Sequence, residues 1–430
     1  MSKSINVNVV SKNLSVGHIR LLFNTNMLYV AFIYFFINKL FLPSGYLYTI
    51  LLTPFFIIWL QKEKVFLFKP LCIYFCTIIA YYAVQSLYGV STKDYVISTC
   101  LYLTCLIFAI TAYTFLKKYW YSYDYILEQI TYYNIALVII AFISLLVWKQ
   151  NNIFWFKNEN GISRLKMFTS ESSDYSLRLV PIFFYYFQYF FYSNLTKKRK
   201  VLFASIVASL LFSLSFGTIG GILASLIIFV FINLVTTQRS LYNRKLTGSL
   251  IFLIVLLVVL ILGPLSNSLF VGRIFNIING NDTSVNGRSF EAYDIANRAL
   301  SFKNHFFGMG PGQFKIYGKK LLDDYYQYDL GDNDMGSARI PSAVAETLVV
   351  FGYIGVAIRF IAEFVLFYKT KVYKSSYRFC LFLYMFINQF VGSNTVNIYE
   401  YVIWIISFSN VFPDSYFKKI KWQIILPYGY

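Results

Sequence analysis

Long apolar runs separated by short polar turns fill most of the chain between residues 21 and 412. A helix that crosses a bilayer needs about 20 mainly apolar residues, and candidate runs occur twelve times along the sequence. The predicted spans are residues 21–38, 46–60, 71–88, 95–116, 130–148, 176–193, 201–216, 218–235, 247–265, 342–367, 379–391 and 397–412. The pattern therefore predicts an all-α polytopic membrane protein with about 12 transmembrane helices.

Two polar segments interrupt the apolar runs, and the longer one divides the chain. Segment 149–175 lies between the fifth and sixth predicted helices, and segment 266–341 lies between the ninth and tenth. The longer segment alternates apolar with polar residues, as in 290–306, which indicates a folded loop. We therefore divide the chain into residues 1–265 with helices 1–9, the loop 266–341, and residues 342–430 with helices 10–12.

The distribution of charge indicates how the chain is oriented. Only 13% of the residues are charged, against about 25% in soluble proteins, which excludes an ordinary soluble enzyme. The net charge of +19 comes from short cationic clusters between the apolar runs, which is a topology signal rather than a nucleic-acid surface. Loops on one side carry 22 Lys and Arg residues, and the short loops on the other side carry six. The positive-inside rule then predicts a multi-pass protein of the bacterial inner membrane, with both termini cytoplasmic and the large loop periplasmic.

This orientation can be tested with a fused reporter that is active only outside the cytoplasm. Because Asp324 lies in the large loop, a fusion after it should be active, whereas a fusion after Arg199, in a cationic cluster, should be silent. The reverse pattern would contradict the topology and every assignment to the outer face.

The cysteine and histidine content favours no metal or disulfide site. All five cysteines lie inside apolar runs, and an odd number cannot form a complete disulfide framework. Cys72 and Cys76 have helical spacing but no His or carboxylate neighbours, and His18 and His305 are the only histidines. A zinc or iron site built by the protein alone is therefore not expected, and no cofactor is predicted.

Ionisable residues within the predicted spans are few, and such residues are usually functional because burying charge in a bilayer is unfavourable. They are Arg178, Glu346, Arg359, Glu363 and Glu400. Arg359 and Glu363 have i, i+4 spacing, which favours a structural ion pair or snorkelling. Glu346 and Glu400 begin predicted helices, where a carboxylate interacts favourably with the helix dipole. A functional role for these two remains an open alternative.

Residues 308–312, Gly-Met-Gly-Pro-Gly, form a glycine-rich segment in the large loop. Such a run resembles a phosphate-binding loop, but Pro311 removes one N–H donor and no Walker lysine follows. We expect Gly308, Gly310 and Gly312 to form a tight turn where the backbone approaches another element or a glycan. His305, just before this segment, is either a surface histidine or a candidate base.

Three local patterns, in order along the chain, resemble those of the O-antigen polymerase family. The first is Arg164 followed by residues 171–173 (Glu-Ser-Ser), whose middle serine replaces the usual proline. The second is Arg288, preceded by glycine and about twenty residues ahead of segment 308–312, which is similar to the family's Gly-Arg…Gly-x-Gly. The third is segment 342–355, which resembles the start of the family's tenth helix.

The same fold is shared by the O-antigen ligases of bacterial lipopolysaccharide assembly. The resemblance in topology covers the whole chain, whereas the motifs cover about 60 residues. Ligases place a His-Asn pair just before helix ten, where this chain has Arg-Ile-Pro-Ser at residues 339–342. This departure favours a polymerase.

The resemblance implies a metal-independent glycosyltransferase that joins undecaprenyl-diphosphate-linked oligosaccharide repeat units into a long polysaccharide. Such a reaction needs cations at the membrane surface to stabilise the charge of the diphosphate. Arginine is suited to this role because its planar guanidinium binds two phosphate oxygens at once. Arg164 and Arg288 are the first candidates to bind the diphosphate, with Arg273 and Arg339 in reserve. The acceptor hydroxyl's proton would go to a carboxylate or histidine, and Glu171 or Glu346 ranks above His305.

The expected partners are the lipid-linked donor and acceptor and the membrane lipid, with a chain-length regulator left open and no nucleic acid. The alternatives are an O-antigen ligase, another surface-polysaccharide polymerase, or a flippase for lipid-linked oligosaccharides. Transporters more often show repeats and polar residues at mid-membrane, and neither is evident in the sequence.

Overall fold

A computed structural model describes the chain over most of the predicted helices and much of the large loop. The described residues are 31–37, 48–147, 153–157, 163–169, 171–192, 196–236, 279, 283–288, 290–326, 340–392 and 395–411. Most of the first predicted span, the predicted span 247–265, and the reserve residues Arg273 and Arg339 lie outside this part of the chain.

The described part is mostly helical. The α-helices are α1 Tyr48–Leu51, α2 Thr53–Lys62, α3 Phe68–Gln85, α4 Thr92–Tyr119, α5 Tyr123–Val147, α6 Ser172–Tyr192, α7 Lys197–Ser213, α8 Phe216–Thr236, α9 Thr283–Arg288, α10 Phe290–Ser301, α11 Phe314–Tyr326, α12 Ala343–Lys369, α13 Ser376–Val391 and α14 Ile398–Phe408. A π-helix covers Ile33–Ile37, and 3-10 turns cover Ser86–Tyr88, Trp120–Ser122 and Val372–Lys374. Two short strands, β1 Trp155–Lys157 and β2 Ser163–Leu165, form an antiparallel hairpin.

Within the described residues, five helices are long and apolar enough to cross a membrane. They are Phe68–Tyr88, Thr92–Tyr119, Tyr123–Val147, Phe216–Asn233 and Ala343–Lys369, the last of which has this length only if the break at Gly352 is ignored. Their side chains leave many large apolar groups exposed, such as Ile79, Val96 and Leu146, which suits a lipid environment. The protein is therefore a membrane-embedded all-α protein in this part, and the count of twelve spans and the periplasmic loop stay predictions.

Helix α6 forms the centre of the bundle. Every side chain from residue 175 to residue 189 is buried, because α7, α8, α13 and α14 pack around it. A helix that is apolar on nearly all sides can be enclosed by other helices or can face lipid, and α6 is enclosed. The aromatic residues of α6 fill this core, and polar Ser176, Arg178 and Gln188 are buried among them.

The β-hairpin fixes the polar segment between α5 and α6 onto one end of the bundle. Trp155 is buried, and its indole N–H donates to the carbonyl of Ala141 in α5 at 2.7 Å. Leu165 and Met167 are also buried in the bundle core. Since strand β2 contains Arg164, this packing determines where that arginine sits.

Helix α12 is broken at Gly352, which has φ 66° and ψ −168°. One guanidinium nitrogen of Arg359 lies 3.4 Å from the carbonyl of Ala343, sixteen residues earlier, and 3.0 Å from Oγ1 of Thr347. Sixteen residues of straight helix would span about 24 Å, well beyond the reach of an arginine side chain. Residues 343–351 therefore fold back alongside the start of residues 353–369. The sequence predicted one continuous span here, because an unbroken apolar run fits one long helix or two shorter ones equally well.

Candidate functional site

The glycine-rich loop of the large polar segment docks onto the break in α12. The N–H groups of Met309 and Gly310 donate to the carbonyls of Val349 and Val350 at 2.7 and 3.0 Å. In return, the N–H of Tyr353 donates to the carbonyl of His305 at 3.0 Å, and the N–H of Ile354 donates to that of Phe306 at 3.1 Å. Backbone groups freed by a helix break need such partners inside a membrane protein, and the loop supplies them.

Close backbone contact explains the glycines of this loop. A Cβ atom on Gly308 would lie 2.6 Å from backbone atoms of both Val350 and Gly352. Gly310 faces Gln85 and Tyr95, and Gly312 faces the backbone of Asp94. All three loop glycines also have positive φ, which suits glycine. These positions agree with the expected close approach of the backbone to another element, and a role toward glycan stays a prediction.

The turn between α3 and α4 is a third segment that contacts both the Gly-rich loop and the break in α12. The Gln85 side chain donates to the carbonyls of Phe307 and Val350 at 2.5 and 3.0 Å. The Gln313 side chain accepts from the Ser91 N–H at 2.9 Å and donates to the Ser91 carbonyl at 3.0 Å. We call the three segments, residues 85–91, 303–313 and 349–354, the loop junction. Its hydrogen bonds join the large polar segment to the membrane helices.

A cleft lies beside the loop junction. It is lined by Ser98, Leu101, Tyr102, Gly312, Phe314, Lys315, Ile340, Glu346, Val349, Val350 and Val396. The cleft brings together two residues that the sequence singled out, Glu346 and Gly312, from positions far apart in the chain. One carboxylate oxygen of Glu346 accepts the N–H of Thr395 at 2.6 Å, which fixes the segment before α14. The cleft therefore combines a carboxylate with an exposed cation, Lys315, between the membrane helices and the loop.

Sequence reasoning missed Lys315 and Tyr102 as members of this cleft. Lys315 is one of several lysines in the large loop, and only its position just after the Gly-rich loop sets it apart. Tyr102 lies in a strongly apolar run with many other aromatic residues. Neither carries a signal in the sequence that distinguishes it from its neighbours.

Arg359 and Glu363 form the ion pair that their spacing predicts, at 3.1 Å. Gln389 of α13 extends the pair, because it accepts from Arg359 at 2.8 Å and donates to Glu363 at 3.0 Å. Together with its contacts to Ala343 and Thr347, the Arg359 side chain ties both halves of α12 to α13. This network supports the structural interpretation of Arg359.

Tyr293 of α10 links the large polar segment to the start of α12 and the end of α13. Its hydroxyl donates to the carbonyl of Phe390 at 3.3 Å, and the Ser342 hydroxyl lies 3.4 Å from it. Burial raises the pKa of the Tyr293 phenol above its ordinary value. Ser342 in turn caps α12 by accepting the N–H of Ala345. The start of α12 is thus held by the loop as well as by α13.

The two arginines predicted to bind diphosphate lie on different elements, Arg164 on strand β2 and Arg288 on helix α9. Arg164 is half-buried in β2, opposite Phe156, and the hairpin packs against α6 and α7. Arg288 is half-buried at the end of α9, which packs against α10 and α13. Glu171 is exposed just before α6, and its carboxylate accepts the Ser173 hydroxyl at 3.0 Å. The structure brings none of these three into the cleft that holds Glu346.

His305 contributes to the fold through its backbone. Its carbonyl accepts the N–H of Tyr353 in the loop junction, while its side chain is exposed. A surface histidine and a base that acts on a bound substrate both remain compatible with this position.

The chain matches no protein-family model, no curated protein and no solved structure. Its function is therefore inferred from the residues and geometry described above.

Proposed function

We propose that the protein is an O-antigen polymerase. It transfers a growing glycan from undecaprenyl diphosphate to the terminal sugar of a new lipid-linked repeat unit, at the periplasmic face of the inner membrane. The observation that carries the proposal is the cleft beside the loop junction, where Glu346 and the Gly-rich loop meet at the border between membrane helices and the large polar segment. A lipid-linked sugar presents its reacting carbon at just such a border.

The chemistry requires an attacking hydroxyl, a proton acceptor and stabilisation of the leaving diphosphate. The acceptor hydroxyl oxygen forms the new bond to the donor's anomeric carbon while the bond to the diphosphate oxygen breaks. The hydroxyl proton passes to a carboxylate, for which Glu346 is the best placed candidate because it lines the cleft. The electron pair leaves with the lipid diphosphate. The sequence motifs assign the stabilisation of its charge to Arg164 and Arg288 through charge-assisted hydrogen bonds, although neither arginine lines the cleft that contains Glu346.

A flippase for lipid-linked oligosaccharides is the second candidate, and one observation favours it. Transporters often bind their substrate beside broken membrane helices and buried polar groups. Helix α12 is broken at Gly352, and Arg359, which is partly buried, contacts residues on both sides of the break together with buried Glu363 and Gln389. The polymerase remains the better supported proposal because of the three ordered motifs and the docked Gly-rich loop.

Deletion of the gene distinguishes these functions through the lipopolysaccharide gel pattern. A lost polymerase should leave the lipid core carrying a single repeat unit, because flipping and ligation still work. A lost flippase or ligase should instead leave bare core. Bare core in the deletion strain would therefore overturn the proposed function.

Replacement of His305 by alanine should leave most of the long-chain polymer intact, because the side chain is exposed and the loop junction uses only its backbone. The length distribution of the polysaccharide on a gel, at equal protein abundance, provides the measurement. Complete loss of polymer at normal abundance would return His305 to the catalytic residues and favour a ligase-like mechanism.

A further inference from the structure

We propose that Arg178, in the middle of the bundle, binds a phosphate group of an isoprenoid diphosphate. The proposal rests on the proposed function for its choice of ligand, and it adds a residue that neither the motifs nor the cleft had assigned. It is carried by the hydrogen-bonding state of one buried guanidinium.

Arg178 is enclosed in the bundle, with only 2% of its surface exposed. One terminal nitrogen donates to the carbonyl of Phe35 in the π-helix at 2.7 Å. The guanidinium carbon lies 4.0 Å from the centre of the Tyr399 ring at the start of α14. The other two nitrogens, Nε and Nη2, are buried and have no hydrogen-bond partner among the residues that the structure describes. None of the ion pairs among the described residues includes Arg178.

Two other arginines in the bundle show that the fold can satisfy this side chain. Arg378 is 3% exposed and donates to the carbonyls of Ser407 and Thr370 at 2.7 and 2.8 Å, and to the Thr370 hydroxyl at 3.0 Å. Arg359 donates to acceptors on both α12 and α13. All three side chains carry the same charge. Arg178 differs from the other two because two of its guanidinium nitrogens have no acceptor among the described residues. A charged group that stays buried with unpaired donors is strongly unfavourable unless something else pairs with it.

The identity of the two unpaired nitrogens indicates what the partner is. Nε and Nη2 form one edge of the planar guanidinium, and this edge presents two parallel N–H groups. Phosphate and carboxylate oxygens match that spacing in bidentate pairs. The unpaired edge of Arg178 is therefore suited to an oxyanion.

The depth of Arg178 favours a lipid phosphate over a soluble anion. Arg178 lies six residues after Ser172, where α6 begins, so it is about 9 Å along the helix from its start. By the charge count, this end of α6 faces the periplasm, which is where a lipid diphosphate presents its phosphates. The Tyr399 ring that stacks on the guanidinium packs in turn against the Tyr34 ring, at 5.3 Å between ring centres, and such an aromatic surface suits the chain of an isoprenoid.

Binding of farnesyl diphosphate to the purified full-length protein in detergent tests the proposal. The wild type should bind this probe, and R178Q should bind it about tenfold more weakly or worse, because a bidentate charged contact is lost. R178K keeps the positive charge but lacks the two parallel N–H groups of the guanidinium. It should therefore also bind farnesyl diphosphate more weakly than the wild type does. R199Q is the matched control, since Arg199 also stacks on a tyrosine, at 4.1 Å from Tyr189, but has Asp124 nearby. Its affinity should stay within about twofold of the wild type.

A second measurement keeps the test decisive if R178Q fails to fold. Farnesyl diphosphate should raise the unfolding temperature of the wild type and of R199Q, and should raise that of R178K much less. Phosphatidylglycerol micelles serve as the competing phosphate source and should displace the probe poorly. Wild-type affinity in R178Q or R178K, absence of binding by the wild type, or equal competition by phosphatidylglycerol would each overturn the proposal.

These outcomes are separable from failure of the proposed function. Probe binding does not require polymerisation, so bare core in the deletion strain together with binding that depends on Arg178 would reject the polymerase alone. A single repeat unit in the deletion strain together with unchanged binding in R178Q would reject the Arg178 site alone.

Discussion

Alanine at Arg164 or at Arg288 should collapse the polysaccharide ladder to a single repeat unit on the lipid core, without changing protein abundance. Each arginine heads one of the motifs that resemble the polymerase family, and each is half-buried rather than fully solvated. A charge-assisted contact made to the leaving diphosphate in the transition state contributes several kcal/mol. Each 1.4 kcal/mol is about tenfold in rate, so the loss of one contact is enough to stop chain growth. The measurement is the gel pattern of the lipopolysaccharide from a deletion strain that carries each variant.

A matched control comes from the same large loop. Arg298 is exposed and pairs with Asp294 at 3.1 Å, and such a surface pair contributes under about 1 kcal/mol. Arg298→Ala should therefore leave the ladder largely intact. Lysine in place of Arg164 or Arg288 should restore little activity if two phosphate oxygens are bound at once. A normal ladder from both alanine variants would contradict this assignment, and the diphosphate would then have to be held by Arg178, Arg273, Arg339 or lysines.

The positions of the helices follow from the sequence to a large extent, because apolar length and end signals act locally. The predicted span 95–116 corresponds to α4 at Thr92–Tyr119, where Ser91 caps the helix by accepting the N–H of Asp94. The predicted span 176–193 corresponds to α6 at Ser172–Tyr192. In both helices the structure adds residues at the polar N-terminal end, which a search for apolar runs leaves out.

The way helices pack could not be predicted to the same extent. The sequence of α6 is apolar on nearly all sides, and lipid-facing helices have the same composition, so its central position has no signal in the pattern. The break in α12 has only Gly352 as a signal, and isolated glycines are common in membrane helices. The partners of the Gly-rich loop lie about forty residues away in α12 and more than two hundred residues away in the α3–α4 turn. No local pattern specifies contacts of that kind.

For the candidate site, too, single residues could be predicted from the sequence, whereas their arrangement could not. The sequence identified Glu346 and the loop glycines as separate features, and only the fold places Glu346 and Gly312 on one cleft. It also identified Arg178 as an ionisable residue within a span, but its two unpaired nitrogens became apparent only from the surrounding side chains. Residue type and position along the chain were predictable, whereas the pairing of polar groups across the bundle was not.

Alanine at Gly308 or at Gly352 should strongly destabilise the protein, because these two glycines meet where the loop docks onto the broken helix. A Cβ on Gly308 would lie 2.6 Å from backbone atoms of Gly352 and Val350, and one on Gly352 would lie 2.6 Å from the N–H nitrogen of Gly308. Both also have positive φ, at 73° and 66°, which disfavours alanine by about 1–2 kcal/mol before any clash is counted. Since backbone atoms cannot move aside as a flexible side chain can, the hydrogen bonds of the loop junction should break. We expect lower abundance in the membrane and a lower unfolding temperature of the purified protein in detergent.

Gly220 provides the control for this experiment. It lies in α8, and a Cβ placed on it would meet no atom of the described part of the chain within 4 Å. Gly220→Ala should therefore leave the unfolding temperature unchanged or raise it slightly, since alanine is favoured over glycine in a helix by about 0.5–1 kcal/mol. The comparison separates the effect of the junction from the general effect of adding a methyl group. If Gly308→Ala and Gly352→Ala unfold at the same temperature as Gly220→Ala, the loop is not docked on α12 in the way described, and Glu346 and Gly312 would no longer share a cleft.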